Sequence, residues 1–249
     1  MNKGKIYIST TASDAPEVAR RWGFGIEIAE YCTAWNMDDA FAQTDAQVRK
    51  NLEGISHWVL HAPFNELFPC AIDRKARQLA ADRYREAIAL AKGYGARKVI
   101  IHGGYNRWLY YPVWYVDQSI LFWKQFLEED PGVEIVLENV LEEDPAWLLD
   151  IVKGVGNPCL RLCLDVGHVN AYSKVPVMQW LEICGSDISH LHIHNNDGSW
   201  DTHSALDQGS IPIKELLQRC EILCPEATIT LERSEAENSV RWLEASGLI

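Results

Sequence analysis

Short apolar runs alternate with longer amphipathic stretches along the whole chain. Eight of these runs are rich in Val, Ile and Leu, a composition typical of buried parallel strands. They cover residues 5–9, 25–28, 58–61, 98–102, 134–138, 160–165, 188–194 and 228–232. Each is short enough for a strand and is followed by turn residues or by a stretch of helical character.

The stretches between the runs carry apolar residues at helical spacing. The clearest covers residues 76–92, where Leu79, Ala80, Tyr84, Ala87, Ile88 and Ala91 fall on one face. Further helices are predicted over 112–128, 144–152, 177–184, 213–222 and 236–245. Eight strands that alternate with helices in 249 residues predict an α/β fold, a single (β/α)8 TIM barrel formed as one domain by residues 1–249. A dinucleotide-binding sheet is not favoured, because no GxGxxG follows the first strand.

The net charge of the chain indicates which kinds of molecule it can bind. The formal net charge is -12, and its acidic residues are scattered along the chain. Broad contact with nucleic acid or with an anionic membrane needs a dense basic surface, so we expect neither. No apolar run is long enough to cross a membrane or to act as a leader, and the seven cysteines contain no CxxC pair. These features predict a cytoplasmic protein with reduced thiols.

Ionisable residues end six consecutive predicted strands. They are His61, His102, Glu138, Asp165, His194 and Glu232. Each has a simpler explanation when taken alone: a hydrogen-bonded turn histidine, a solvated glutamate, or an N-cap aspartate. Together they predict a site, because all strand C-termini of a barrel open onto the same face. His168 follows Asp165 by one helical turn, and the loop after the seventh strand adds Asp201 and His203.

The donor types favour a divalent metal. Carboxylates mixed with imidazoles and without cysteine suit Mn²⁺, Mg²⁺, Co²⁺ or Zn²⁺. We expect one ion, and the additional histidines leave room for up to three.

An ordered set of motifs resembles the xylose isomerase-like TIM-barrel superfamily over the whole chain. The motifs are His61-Ala62-Pro63-Phe64, Ile101-His102-Gly103-Gly104, Leu137-Glu138-Asn139, Leu164-Asp165-Val166-Gly167-His168, His194-Asn195-Asn196-Asp197-Gly198 and Leu231-Glu232. This superfamily includes sugar and sugar-phosphate isomerases and epimerases, and also the endonuclease IV family.

The resemblance implies two versions of the site. In the isomerase and epimerase branch, one metal is held by residues that match Glu138, Asp165, His194 and Glu232, and the two glutamates act as the acid/base pair. In the endonuclease branch, three zinc ions use nine ligands, and the matching positions add His61, His102, His168, Asp201 and His203.

Two departures separate this chain from the endonuclease branch, and a third concerns the shape of one loop. Phe64 stands where that branch usually has Tyr, and Asn196-Asp197-Gly198 lacks the Lys of its seventh-strand motif. Asp207-Gln208-Gly209 replaces a common G-x-G, which leaves the shape of that loop open.

The resulting hypothesis is a metal-dependent isomerase or epimerase that moves a proton α to the carbonyl of a small carbohydrate through an enediolate. His61, His102 and His168 would hold substrate hydroxyls, Trp108 and Trp200 would stack on a sugar face, and Glu27 could hydrogen-bond substrate. The alternatives are an endonuclease IV-like phosphoesterase and a non-catalytic sugar-binding barrel. A homo-oligomer is left open.

Overall fold

Eight parallel strands form the centre of the molecule. The computed structural model describes residues 1–249. The strands are β1 (Ile6–Ser9), β2 (Gly25–Ile28), β3 (Trp58–His61), β4 (Lys98–His102), β5 (Glu134–Glu138), β6 (Leu160–Asp165), β7 (Ile188–Ile193) and β8 (Thr228–Leu231). Each pairs with the next, and β8 pairs back with β1 through Tyr7 and Thr230, which closes the barrel. The predicted (β/α)8 barrel is therefore confirmed.

Helices surround the barrel. They are α1 (Ala15–Trp22), α2 (Ala34–Met37), α3 (Phe41–Leu52), α4 (Arg74–Tyr94), α5 (Pro112–Phe126), α6 (Pro145–Val155), α7 (Val166–Tyr172), α8 (Val177–Cys184), α9 (Ile213–Leu223) and α10 (Glu237–Ala245). Three 3-10 turns cover Lys3–Lys5, Glu30–Cys32 and Gly185–Asp187. No helix combines the length and the apolar character needed to cross a bilayer.

Local signals explain where several helices begin and end. Asp73 caps α4 by accepting from Lys75 N at 2.7 Å, and Asp144 caps α6 by accepting from Ala146 N at 2.9 Å. Gly95 and Gly156 end these two helices in the left-handed conformation that favours glycine. The sequence analysis did not predict α1, α2, α3 or α7; of these, α2 and α7 are only four and seven residues long.

The apolar core has two parts. A continuous cluster of 63 buried residues includes the packing between strands and helices. A smaller cluster is made of Tyr7, Val59, Ile100, Val136 and Cys163, one each from β1, β3, β4, β5 and β6. Since side chains two apart on a strand point to the same face, the next inward positions are Ser9, His61, His102, Glu138 and Asp165. On these five strands the barrel interior thus changes from apolar to polar within one layer, towards the C-terminal ends. On β2 and β7, Glu27 and His190 are already polar at the lower level, where they pair with Val59 and Cys163.

Candidate metal and active site

The predicted strand-end residues meet at the C-terminal mouth of the barrel. Glu138 is at their centre, and only 1% of its surface is exposed. One of its oxygens, Oε2, lies 3.1 Å from His61 Nε2 and 3.5 Å from His102 Nε2, while Oε1 lies 3.3 Å from His168 Nδ1. The register supports this convergence, because the Cα of His102 is paired with that of Glu138 across β4 and β5.

His61, His102 and Glu138 form a first group of candidate ligands. The Nδ1–H of His61 donates to Ala62 O at 2.8 Å, which turns Nε2 towards Glu138. The His102 ring stacks on Phe64 with centroids 4.3 Å apart, and burial lowers the pKa of His102 to about 3. The hydrogen bond made by His61 and the stacking of His102 on Phe64 fix both imidazoles in orientation, which is a condition for metal ligation.

Asp165 and His194 belong to a second group with Glu138 and Glu232. Asp165 Oδ1 accepts from His168 N at 2.7 Å and so caps α7, while Oδ2 lies 3.2 Å from His194 Nε2. The N-cap explanation of Asp165 is therefore correct, and one carboxylate serves the cap and the site together. Asn139 fixes the Asp165 backbone through two reciprocal hydrogen bonds of 2.9 Å.

His168, Asp201 and His203 form a third group. Asp201 Oδ2 lies 3.3 Å from His168 Nε2 and 3.0 Å from His203 Nε2. The Nδ1–H of His168 donates to Asn139 O at 2.9 Å, so its Nε2 faces Asp201. His203 has a φ of 46°, in the left-handed region that non-glycine residues rarely adopt. The structure thus brings all nine predicted candidate ligands into one cleft.

The loop after β7 is held in place by two asparagines. Asn195 Nδ2 donates to Leu206 O and Ile211 O, and Asn196 Nδ2 donates to Gly167 O at 2.9 Å. A Cβ at Gly209 would lie 2.1 Å from Asn195 Oδ1, so a larger residue would displace this anchor. Asp207-Gln208-Gly209 therefore lacks the first glycine of the G-x-G pattern but keeps the second, Gly209, which the packing of this loop requires.

The two glutamates differ in their surroundings. Burial alone would raise the pKa of Glu138, but His192 and His102 hold it well below its usual range. Burial raises the pKa of Glu232, and the nearby Glu27 and Glu138 add to this effect while His192 opposes it. Environments that separate the pKa values of two carboxyls are typical of acid/base pairs.

The donor set fits a divalent metal. Three buried polar atoms at the site lack a hydrogen-bond partner: His192 Nδ1, His194 Nδ1 and Asp201 Oδ1. The last two lie only 3.6 Å apart. Buried polar atoms without partners are costly, and closely spaced imidazole and carboxylate atoms are suitable ligands for Zn²⁺ or Mn²⁺. Several groups of three donors here have spacings that could hold an ion.

Sequence reasoning missed two buried histidines on β7, His190 and His192. Both belong to the predicted strand 188–194, and period-two alternation places them on the same face as His194. That alternation was the signal that could have found them. Glu27 is fully buried and accepts from His192 Nε2 at 3.1 Å across the barrel, so it is no surface residue.

The two tryptophans expected to contact a sugar lie on the rim. Trp200 is 65% exposed and packs edge-on against Tyr172, whose ring in turn stacks on His168. Trp108 is 77% exposed and packs with Arg107; no ring contact or hydrogen bond joins it to the site. The structure therefore links Trp200, and not Trp108, to the cleft.

Known proteins share this architecture. The family model described as "Xylose isomerase-like TIM barrel" matches residues 16–245. The uncharacterized protein MJ1311 of Methanocaldococcus jannaschii is 30% identical over 197 residues, which are 75% of this chain and 67% of that protein. Fructoselysine 3-epimerase of Shigella flexneri is 25% identical over 154 residues, 59% of this chain and 55% of the enzyme. A crystal structure of a D-tagatose 3-epimerase-like protein superposes with a TM-score of 0.76 at 26% identity, covering 96% of this chain and 94% of that one.

Proposed function

This chain belongs to the family of xylose isomerase-like TIM barrels, and on that premise we propose that it is a metal-dependent isomerase or epimerase of a small carbohydrate. Relatives named as sugar 3-epimerases support the reaction class. The observation that carries the proposal is the placement of two buried carboxylates around one point: Glu138 Oε1 and Glu232 Oε2 lie 3.3 and 3.6 Å from the same atom, His192 Nδ1.

Two carboxylates on different strands can carry out a two-base proton transfer at a carbon centre. One removes the proton α to the carbonyl and gives an enediolate, and the other returns a proton to the same carbon from the other face or to the neighbouring carbon. The first outcome is epimerisation and the second is isomerisation. Glu138 ends β5 and Glu232 directly follows β8, three strands further around the closed barrel.

Glu138, Asp165, His194 and Glu232 would hold the metal. When bound, a divalent ion supplies Lewis-acid stabilisation of negative charge that develops on the substrate oxygens. The chain's own residues do the rest: His102 and His168 border the cleft as hydrogen-bonding groups for hydroxyls, and the Trp200 indole offers an apolar face at the rim.

The test is proton exchange with solvent. Purified, metal-loaded protein is incubated in D₂O with a panel of free and phosphorylated ketoses and aldoses, followed by NMR. Deuterium at C3 identifies a 3-epimerase, and deuterium at C1 or C2 identifies an aldose–ketose isomerase. Failure to exchange any sugar, with metal bound, would contradict the proposal.

One observation favours a second function. Several different triples of donors have spacings that could hold an ion, among them the third group of His168, Asp201 and His203, which is more than a single-metal isomerase needs. Several metals can clamp the attacking and leaving oxygens of a phosphoester. We rank phosphoesterase activity second because a phosphoester is anionic and the loop of residues 194–213 offers no Lys or Arg to bind it. The same loop carries the acidic residues Asp197, Asp201 and Asp207.

A further inference from the structure

A buried histidine lies directly beneath the two proposed acid/base glutamates. His192 is on β7 and none of its surface is exposed. Its Nδ1 makes no hydrogen bond but lies 3.3 Å from Glu138 Oε1 and 3.6 Å from Glu232 Oε2, close enough to act on both carboxylates electrostatically. The ring therefore contacts both carboxylates from inside the barrel, on the side away from solvent.

The opposite edge of the same ring is held by Glu27. His192 Nε2–H donates to Glu27 Oε2 at 3.1 Å, and Thr230 Oγ1 donates to the same oxygen at 2.7 Å. Glu27 is on β2 and reaches across the barrel interior to β7 and β8, and it too is fully buried. A fully buried carboxylate is costly without such partners, so its position is tied to that of His192.

The His192 ring has little freedom to rotate away. Its neighbours include the His61 ring, stacked with centroids 5.8 Å apart, and the His190 ring, packed edge-on at 5.3 Å. The Cα of His192 is also paired with that of Asp165 across β6 and β7. The imidazole is thus fixed by backbone register, by ring packing and by Glu27.

We propose that Glu27 and His192 form a positioning pair, in which Glu27 orients the His192 ring and the ring sets the carboxylate orientations of Glu138 and Glu232. The pair touches neither solvent nor the rim, so it acts through the two glutamates. This inference rests on the proposed function, because it assigns a role to groups that support those two residues. Residues that orient metal-binding side chains typically change metal affinity or activity by about 10- to 100-fold when they are replaced.

The test compares two histidines on one strand. His190 is equally buried, and its Nε2 lies 3.5 Å from Glu27 Oε2, but its ring nitrogens hydrogen-bond the hydroxyls of Thr228 and Thr230 at 2.6 and 2.9 Å. It does not face Glu138 or Glu232, so it shares the contact with Glu27 but not the contact with the two carboxylates. His192→Gln and His190→Gln remove the same ring from the same strand. Co²⁺ alone is titrated into each full-length variant, and binding is followed by its visible absorption, which reports both affinity and ligand geometry. Thermal melts of the metal-free proteins are recorded in parallel.

We expect both variants to melt earlier than the wild type, and only His192→Gln to bind Co²⁺ about 10- to 100-fold more weakly with an altered spectrum. If sugar exchange is active, His192→Gln should lower kcat while KM changes by less than about twofold. Glu27→Gln is the second variant in case His192→Gln does not fold; it keeps the shape of the side chain, and we expect it to weaken Co²⁺ binding about tenfold.

Several outcomes overturn the inference. Wild-type affinity and spectrum in both His192→Gln and Glu27→Gln would do so, as would an equal loss of affinity in His190→Gln. Loss of a whole equivalent of Co²⁺ in His192→Gln would make His192 a ligand instead. A wild-type protein that binds Co²⁺ but exchanges no sugar contradicts the proposed reaction alone, and one that binds no Co²⁺ overturns both proposals.

Discussion

The His203 ring lies flat on the His194 ring, with centroids 3.9 Å apart and planes within 5°. One ring follows the end of β7, and the other belongs to the loop that leaves it. Asp201 contacts both rings, with Oδ1 3.6 Å from His194 Nδ1 and Oδ2 3.0 Å from His203 Nε2. The loop therefore brings its own donors to those of the strands.

This stack leads to a prediction about metal count. If the third group binds an ion, His203→Ala should remove about one equivalent of metal, because it deletes one of the three donors of that group. The rest should stay bound, because Glu138, Asp165, His194 and Glu232 are unchanged. Elemental analysis after dialysis measures the content. His57→Ala is the matched control, since His57 packs against Tyr7 away from the cleft. Unchanged metal in His203→Ala would favour the single-metal site.

The central carboxylates should matter more than any loop residue. We predict that Glu138→Ala or Asp165→Ala abolishes most metal binding, because each removes a buried oxygen donor shared by several imidazoles. Glu128→Ala, on the exposed surface, should bind like the wild type. Full metal content in both ligand variants would disprove the site assignment.

Gly167 should be intolerant of even a methyl group. A Cβ there would lie 1.9 Å from His194 Cε1, so Gly167→Ala must displace a ring of the site. We expect a loss of about 1–3 kcal/mol in unfolding free energy from overpacking, together with weaker metal binding. Gly93→Ala is the control: a Cβ meets nothing within 4 Å in helix α4, and alanine should stabilise by about 0.5–1 kcal/mol. Denaturant melts and metal titrations measure both variants, and normal metal affinity in Gly167→Ala would contradict the geometry.

Replacing one member of the acid/base pair should stop turnover without emptying the site. We predict that Glu232→Gln lowers kcat for sugar exchange by about 10²- to 10⁴-fold, the usual contribution of a positioned acid or base. Its amide oxygen can still face the metal, so bound metal should be measured in the same sample. Retention of more than a tenth of the activity would exclude Glu232 from proton transfer.

Abasic duplex DNA should not be nicked. Each phosphate contact needs a neutralising cation, and two basic residues of the neighbouring loops, Arg107 and Lys174, are already paired with Glu143. The assay uses low salt with Zn²⁺ and with Mn²⁺, alongside sugar exchange. Efficient nicking that disappears in Glu232→Gln, without exchange into any sugar, would reverse the ranking of the two functions.

The sequence could predict the parts of this site that follow from periodicity. Runs 58–61, 98–102, 134–138 and 160–165 match their strands residue for residue, since apolar runs flanked by turns leave little choice. The run 188–194 extends one residue beyond β7, which ends at Ile193, so His194 follows the strand rather than ending it. Glu232 likewise follows β8.

Other features depend on tertiary packing and leave no local signal. Glu27 on a short second strand could face solvent or the barrel, and only closure of the sheet brings His192 and Thr230 to it. The exposure of Trp108 depends on the path of the loop after β4, which composition does not determine. Pairing of distant polar side chains is set by three-dimensional register.

On five strands, the single-layer change from apolar to polar inside the barrel keeps the strand-borne donors apart from the surface loops. Tyr7, Val59, Ile100, Val136 and Cys163 form a floor, and the donors stand two residues further along the same strands. Their spacing is therefore dictated by backbone pairing and is insulated from the surface loops. A descendant could exchange the loop beyond His194, and with it Asp201, His203 and the molecule that the rim accepts, while His194 and the strand-borne donors kept their positions. New specificities can then arise in this lineage by insertion, deletion or replacement at the rim, with the chemistry beneath preserved.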